Sequence, residues 1–231
     1  MRRAIKFLIA AIILSAPFIS SESEINYFQN GKIPKKGSEK IKPIKIGAQT
    51  WMLENLNVFT YRNGDTIPQV QDPFEWSSLK TGAWCYYENI SENGVLYGKL
   101  YNYFAVNDAR GLAPLGWHIP TDAEWKILTD NLGGLDVAGE KMKSTSTWEN
   151  KGNGTNESGF TGLPGGYRLT NGKYDSAGSF DYVGKFAYFW SAREQGSYNC
   201  WPRILSYNNK NIVRTINDKR GGGMSVRCVM D

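Results

Sequence analysis

The chain has 231 residues, of which 41% are hydrophobic, and a formal net charge of +5 at pH 7. Three of the positive charges, Arg2, Arg3 and Lys6, precede residue 22 with no acidic residue among them, so the remainder carries +2. With no run of five basic residues, this balance argues against a nucleic-acid partner. The roughly 210 residues that follow are enough to bury the core of a single domain.

Residues 1–21 have the composition of a cleavable secretory signal peptide. The basic start is followed by the apolar run Phe7–Leu14, and the small residues Ser20 and Ser21 stand where a signal peptidase would cut. The apolar run is shorter than the roughly 20 residues that a bilayer span needs. We therefore expect an exported protein, secreted, periplasmic or on the cell surface, with no transmembrane segment in the mature chain.

The segment that follows the signal is polar, and regular structure is predicted only after it. We expect residues 22–43, which carry several lysines, to be a flexible tether. The apolar segment Ile44–Trp51 predicts the first strand, with a glycine break. An Asn-Gly pair within residues 62–68 predicts a hairpin turn, and apolar residues at helical spacing within residues 97–106 predict a helix.

The clearest helix of the sequence begins after Thr121. Thr121 is a good N-cap, and Glu124, three residues later, is its capping-box partner. One apolar stripe then follows at helical spacing: Trp125, Leu128 and Leu132. Gly133 and Gly134 come where glycine commonly ends a helix.

The second half of the chain predicts loops and short antiparallel strands. Residues 143–159 have loop composition. Hairpins are predicted around Asn171–Gly172 and Asn208–Asn209, and a last strand is predicted over residues 223–230. Two main helices followed by a strand-rich, loop-rich C-terminal half indicate an α+β fold.

Five sequence blocks, in order, carry a resemblance to a known family: IGAQTWMLENL, GAWCYYENISENGVLYGKLYNYFAVND, GWHIPTDAEWKILTDNLGG, NESGFTGLPGGYR and GMSVRCV. They resemble the Fibrobacter succinogenes major paralogous domain, which would occupy residues 44–231. That family is similar to the formylglycine-generating-enzyme and C-type-lectin-like fold. The resemblance therefore implies an α+β fold of this C-type-lectin-like, formylglycine-generating-enzyme-like kind on an exported protein.

The three cysteines, Cys85, Cys200 and Cys228, allow one disulfide and one remaining thiol in an oxidising compartment. The residues alone leave all three pairings open. The resemblance implies Cys85–Cys228, since both match positions where family members commonly have cysteines, and it leaves Cys200 as the free thiol. The close C-terminal cysteine pair with which formylglycine-generating enzymes bind copper is missing, so neither that activity nor a copper site is expected.

We expect no cofactor, with a structural calcium ion as the one alternative. His118 is the only histidine, which is too few for a zinc site of nitrogen and sulfur ligands, and it is interpreted as a structural residue. Loop oxygens within residues 150–158 and 216–218 suit calcium, but the triplets of calcium-bridged sugar sites in lectins are missing. Loop carboxylates such as Asp181 have no spacing that favours glycoside hydrolysis over solvation.

Aromatic residues of the second half are the remaining candidates, because flat rings stack on sugars and anchor protein contacts. Tyr174 and Tyr182 belong to this group, from which, with one neighbouring arginine, we select these ligand-binding candidates: Trp148, Tyr167, Arg168, Tyr188, Trp201 and Tyr207. The tryptophans of the family blocks are instead predicted to be core: Trp51, Trp84, Trp117, Trp125 and Trp190. The resulting hypothesis is a non-catalytic binding module, secreted or on the cell surface, for an extracellular glycan or protein. The alternatives are an extracytoplasmic enzyme with an unrecognised site and a structural surface or adhesion component.

Overall fold

Helices and small sheets alternate along the chain after the predicted tether. The computed structural model describes residues 41–169, 178–192, 201–215 and 222–231. Within them lie several sheets and a few short helices, which confirms the predicted α+β class.

The described helices are short, and the predicted capping box begins the longest of them. Their bounds are α1 Pro73–Ser78, α2 Ser91–Tyr97, α3 Tyr103–Val106, α4 Asp122–Asn131 and α5 Leu135–Met142, with 3-10 turns at Tyr87–Asn89 and Glu149–Lys151. The Thr121 side chain accepts the Glu124 N–H, and the Glu124 side chain accepts the Thr121 N–H, so both ends of the predicted box are formed. No helix in the described parts of the chain is long and apolar enough to cross a membrane.

Eleven strands are assigned within the described residues, in three sheets. They are β1 Pro43–Ile46, β2 Gln49–Met52, β3 Trp84–Cys85, β4 Leu100–Tyr101, β5 Trp117–His118, β6 Gly165–Arg168, β7 Phe180–Val183, β8 Phe186–Phe189, β9 Arg203–Ser206, β10 Ile212–Arg214 and β11 Val229–Met230. The sheet orders are β1-β2-β11-β5, β10-β9-β8-β6-β7 and β3-β4. The first and last strands are therefore neighbours, as Val229 of β11 pairs with Trp51 of β2.

Two predicted elements differ from the structure. The single strand Ile44–Trp51 is instead the β1–β2 hairpin, because Gly47 adopts a left-handed conformation with φ of 60° and turns the chain. The helix predicted over residues 97–106 is a short strand and then α3. Gly98, with φ of 73°, ends α2, and the Asn102 carboxamide caps α3 by accepting the Ala105 N–H.

Two predicted hairpins and the predicted core tryptophans are confirmed. The chain turns between Thr60 and Thr66, where the Gly64 N–H donates to the Tyr61 carbonyl. Strands β9 and β10 pair antiparallel on either side of Asn208–Asn209. The five tryptophans predicted to be core are all buried: Trp51, Trp84, Trp117, Trp125 and Trp190. The Asn171–Gly172 turn lies outside the described residues, although the strands on either side of it, β6 and β7, do pair antiparallel.

Candidate functional site

The five-stranded sheet buries one side and leaves the other partly exposed. On β8, Ala187 and Phe189 are buried in the hydrophobic core, whereas the alternating Phe186 and Tyr188 are partly exposed. Because successive strand residues point to opposite sides of a sheet, Phe186 and Tyr188 belong to one surface.

Five aromatic side chains form a continuous cluster in this part of the sheet, which we call the aromatic face: Tyr167, Tyr182, Phe186, Tyr188 and Tyr207. The Tyr167 and Tyr182 rings are nearly parallel, with centroids 5.8 Å apart. Tyr188 lies 4.6 Å from Tyr167, and Phe186 meets the Tyr182 ring edge-on at 5.1 Å. Tyr207 completes the cluster at 6.2 Å from Phe186. Tyr182 is the most exposed, at 38%.

The register of β6 and β7 places a carboxylate beside these rings. Tyr167 lies opposite Asp181, and Arg168 lies opposite Phe180. Directly opposed residues of an antiparallel pair share one side of the sheet. The ribbon formed by β6 and β7 therefore has Tyr167 and Asp181 on one side, and Arg168 and Phe180 on the other.

Gly166 allows the strands beneath the aromatic face to approach closely. It pairs with Ala187 of β8 and adopts a left-handed conformation with φ of 63°. A Cβ at this position would lie 2.5 Å from the Asp181 carbonyl oxygen and 2.8 Å from the Val183 nitrogen. Any larger residue would separate β6 from β7, and so the position of the rings depends on this glycine.

The aromatic face also carries hydrogen-bonding groups. One Asp181 oxygen, Oδ1, accepts the Tyr182 N–H at 2.8 Å. Burial, reinforced by the neighbouring phenols and Asp181, raises the pKa of Tyr167 and Tyr188, so both phenols are neutral donors at physiological pH. In the parts of the chain that the structure describes, the hydroxyls of Tyr167, Tyr182 and Tyr188 have no hydrogen-bond partner.

Three of the six predicted ligand-binding residues, Tyr167, Tyr188 and Tyr207, come together on the aromatic face. Tyr182 was grouped with them by composition, without being selected. Phe186 is not among the residues predicted from the sequence. Alternation of polar and apolar residues along β8 would have placed it on the exposed side, but all four residues of this strand are apolar or aromatic, so no such alternation is present.

Arg168 lies on the opposite side of the ribbon and is completely buried. Its guanidinium donates to the carbonyls of Val70, Gln71 and Gly178, each at 2.7 Å, and lies 4.5 Å from the Trp76 ring centroid. It forms part of the wall of an open cavity of about 360 Å³. With its donors directed at backbone carbonyls, Arg168 holds separate segments together.

Trp148 and Trp201 also lie away from the aromatic face. Trp148 is buried, and its indole N–H donates to Ser144 Oγ and to the Gly162 carbonyl. The Trp201 ring is covered by the Arg214 guanidinium, whose carbon lies 3.6 Å from the ring centroid. Both tryptophans thus have packing partners within the domain.

The predicted disulfide between Cys85 and Cys228 is not present: both residues are free and fully buried thiols. They belong to different hydrophobic clusters: Cys85 to the one that contains Trp76, and Cys228 to the one that contains Trp190. Burial raises the pKa of each thiol to about 12, so neither is a thiolate at neutral pH. Cys200 lies outside the described residues.

His118 links two carboxylates from distant parts of the chain. Its Nε2 lies 2.7 Å from Glu124 Oε1, and its Nδ1 lies 2.7 Å from Asp231 Oδ1. Burial alone would lower the pKa of His118, but the hydrogen bonds to the two carboxylates outweigh it and raise the pKa. Because Glu124 also caps α4, the three residues join β5, α4 and the end of the chain.

The described residues contain no group of three or more His, Cys, Asp or Glu side chains that could hold a metal ion. In the first loop considered for calcium, Asn156 Oδ1 accepts the Thr161 N–H at 2.8 Å, which is a structural use of that oxygen. The second loop, residues 216–218, lies outside the described parts of the chain.

Comparison with known proteins identifies one relationship. The family model described as the Fibrobacter succinogenes major domain matches residues 44–230. No curated protein and no solved structure matches the chain.

Proposed function

Since the chain belongs to the Fibrobacter succinogenes major domain family, we propose that it is a non-catalytic binding module for an extracellular glycan or protein, secreted or on the cell surface. The observation that carries this proposal is the aromatic face, which presents clustered and partly exposed rings on a rigid sheet.

A surface of this kind favours binding. Tyrosine and phenylalanine side chains that are buried on folding stabilise the folded state, because their apolar surface leaves water. Rings that stay partly exposed can instead stabilise a complex, when a ligand covers them. Tyrosine is also among the residues that contribute most per side chain in interfaces. The strand pairing beneath the rings holds them in place, so little side-chain entropy would be lost on binding.

The state of the reactive groups supports a non-catalytic role. The two described cysteines are buried thiols whose pKa is raised to about 12, and His118 is held between Glu124 and Asp231. A nucleophile or general base needs both access to a substrate and a pKa near the working pH. The two buried cysteines have neither property, and both ring nitrogens of His118 are already engaged by Glu124 and Asp231.

We propose a C-type-lectin-like fold, similar to that of formylglycine-generating enzymes, for residues 44–231. The pairing of the last strand, β11, with β2 supports it, as does the concentration of strands after Gly165. We further propose that residues 1–21 direct export and are then removed, on the strength of the basic and apolar composition described above.

The test is a binding screen of the purified protein against extracellular polysaccharides and extracellular matrix proteins, repeated with Tyr182→Ala. Tyr182 is exposed, so its loss should remove binding without unfolding the domain. Phe74→Ala is the matched control, because Phe74 is a 71% exposed aromatic residue on α1, outside the aromatic face. A ligand whose binding Tyr182→Ala leaves unchanged would show that the aromatic face is not the site.

A further inference from the structure

We propose that the occupant of the aromatic face is a neutral glycan chain. This inference rests on the proposed function, namely that the aromatic face is the binding site, and it assigns the chemistry of the ligand.

The aromatic face offers several hydrogen-bonding groups to a ligand. The hydroxyls of Tyr167, Tyr182 and Tyr188 are uncommitted among the described residues, and so is Asp181 Oδ2, since Oδ1 takes the Tyr182 N–H. An apolar protein surface laid over these groups would bury them without partners, which is costly. Sugar hydroxyls both donate and accept hydrogen bonds, and can satisfy phenols and a carboxylate together.

The spacing of the rings limits where a sugar can stack. The Tyr167 and Tyr182 centroids are 5.8 Å apart and the planes differ by only 12°. A sugar held between two rings would need a separation of roughly 7–8 Å, twice the usual carbon–carbon contact distance. A sugar that stacks on Tyr182 must therefore lie on the side of that ring away from Tyr167, and the Phe186 ring, at a steep angle with its centroid 5.1 Å from that of Tyr182, is its neighbour on the aromatic face. The flat C–H side of a pyranose matches such an open ring.

The charge near the aromatic face favours an uncharged ligand. Asp181 is the carboxylate that acts on the pKa of both Tyr167 and Tyr188, and no cation contributes to either shift among the described residues. The guanidinium of Arg168 lies on the other side of the β6–β7 ribbon. The Lys185 ammonium, in the turn after β7, lies 3.8 Å from Glu149. A polyanion would therefore meet a carboxylate at this site with no compensating charge from the described residues, whereas a neutral chain carries no charge for Asp181 to repel.

The experiment is affinity electrophoresis of the purified protein in gels containing soluble polysaccharides. The neutral probes are a β-glucan, an α-glucan, a xylan, a galactomannan and a galactan, and the anionic probes are polygalacturonate and alginate. We expect retardation by at least one neutral probe and by neither anionic probe. Tyr182→Ala should weaken binding about tenfold, the loss typical of an aromatic anchor, and Phe74→Ala should leave it unchanged. Asp181→Asn keeps the shape and should weaken neutral binding several-fold, because an amide oxygen is the poorer acceptor.

The outcomes separate the two proposals. The proposal of a neutral glycan is overturned if the protein binds only an anionic probe or only a protein, and if Tyr182→Ala loses that binding. The proposed function is still supported in that case. Stronger binding of a polyanion by Asp181→Asn than by the unaltered protein would support the charge argument, because it would show that the Asp181 carboxylate repels anionic chains. Retardation by a neutral probe that Tyr182→Ala does not reduce overturns this inference and the assignment of binding to the aromatic face. The absence of retardation by every neutral probe overturns this inference. Thermal unfolding of each variant checks that the fold is intact.

Discussion

Three arginine side chains, those of Arg168, Arg203 and Arg227, are completely or almost completely buried. Arg203 pairs with the Asp122 carboxylate, whereas Arg227 is bound by uncharged acceptors. Its Nη1 donates to the carbonyls of Leu53 and Phe160, and its Nε and Nη2 donate to Asn55 Oδ1. A planar guanidinium can satisfy carbonyl oxygens from several segments together, which no other side chain does as well.

We expect Arg227→Met to lower the free energy of unfolding by about 3 kcal/mol or more. The substitution keeps most of the volume but leaves buried carbonyls without donors. Urea denaturation followed by tryptophan fluorescence measures the change. Lys126→Met is the control, since its ion pair with Asp130 is exposed and should contribute less than about 0.5 kcal/mol. Equal losses in the two variants would contradict the structural role of Arg227.

The raised pKa of His118 predicts a pH-dependent contribution to stability. A base whose folded pKa lies above its unfolded value stabilises the fold below the unfolded value, near 6.5, and loses that contribution as pH rises through the folded pKa. The difference in unfolding free energy between the protein and His118→Gln should therefore shrink as the pH is raised above neutrality. Solvent screening at this half-exposed site limits the effect to about 1 kcal/mol.

A direct readout is available because the sequence has a single histidine. Titration of its imidazole resonance by NMR should give a pKa above about 6.5. Asp231→Asn should move that pKa back down, and Asp130→Asn, on the far end of α4, should not. An ordinary value in the unaltered protein would mean that the contacts with Glu124 and Asp231 are not kept in solution.

Helix caps and turns, which depend on a few neighbouring residues, could be predicted from the sequence, whereas the pairing of strands that are distant in the chain could not. The capping box of α4 and the Asn-rich turn between β9 and β10 each lie within a few residues, and both were predicted. The aromatic face depends on the sheet order β10-β9-β8-β6-β7, in which β6 pairs in parallel with β8. Nothing in the sequence near Tyr167 indicates that Tyr188 will lie beside it. Composition therefore identified the tyrosines as ligand-binding candidates, but it could not show that they lie on one surface and that Trp148 and Trp201 lie elsewhere.

The close approach of β6 and β7 at Gly166 predicts that a larger residue there will destabilise the domain. Gly166→Ala should destabilise the domain by more than about 2 kcal/mol, because a methyl group would overlap the backbone of β7 in addition to straining a left-handed residue. Gly116→Ala is the matched control. Gly116 has φ of 82° with nothing within 4 Å of its would-be Cβ, so it should lose only about 1 kcal/mol. Denaturant unfolding of both variants measures the difference, and equal losses would refute the steric argument.

The part of the chain that forms the compact domain is assembled from interleaved halves. The compact unit Lys40–Asp231 contains a sheet in which β11, from the end of the chain, lies between β2 and β5. One core cluster joins Trp51 and Trp125 from the first half to Phe160 and Phe189 from the second. Neither half therefore contains a complete core.

This interleaving predicts that the domain cannot be divided. Gly133 and Gly134, between α4 and α5, are a natural place to cut, since both adopt positive φ in a turn. Fragments 44–133 and 134–231 should each lack cooperative unfolding and protected amides in hydrogen exchange, because the first would lose β11 and the second would lose Trp51 and Trp125. The intact protein should give one transition that coincides by circular dichroism and tryptophan fluorescence. A cooperative transition in either fragment alone would show that one half can complete a core without the other.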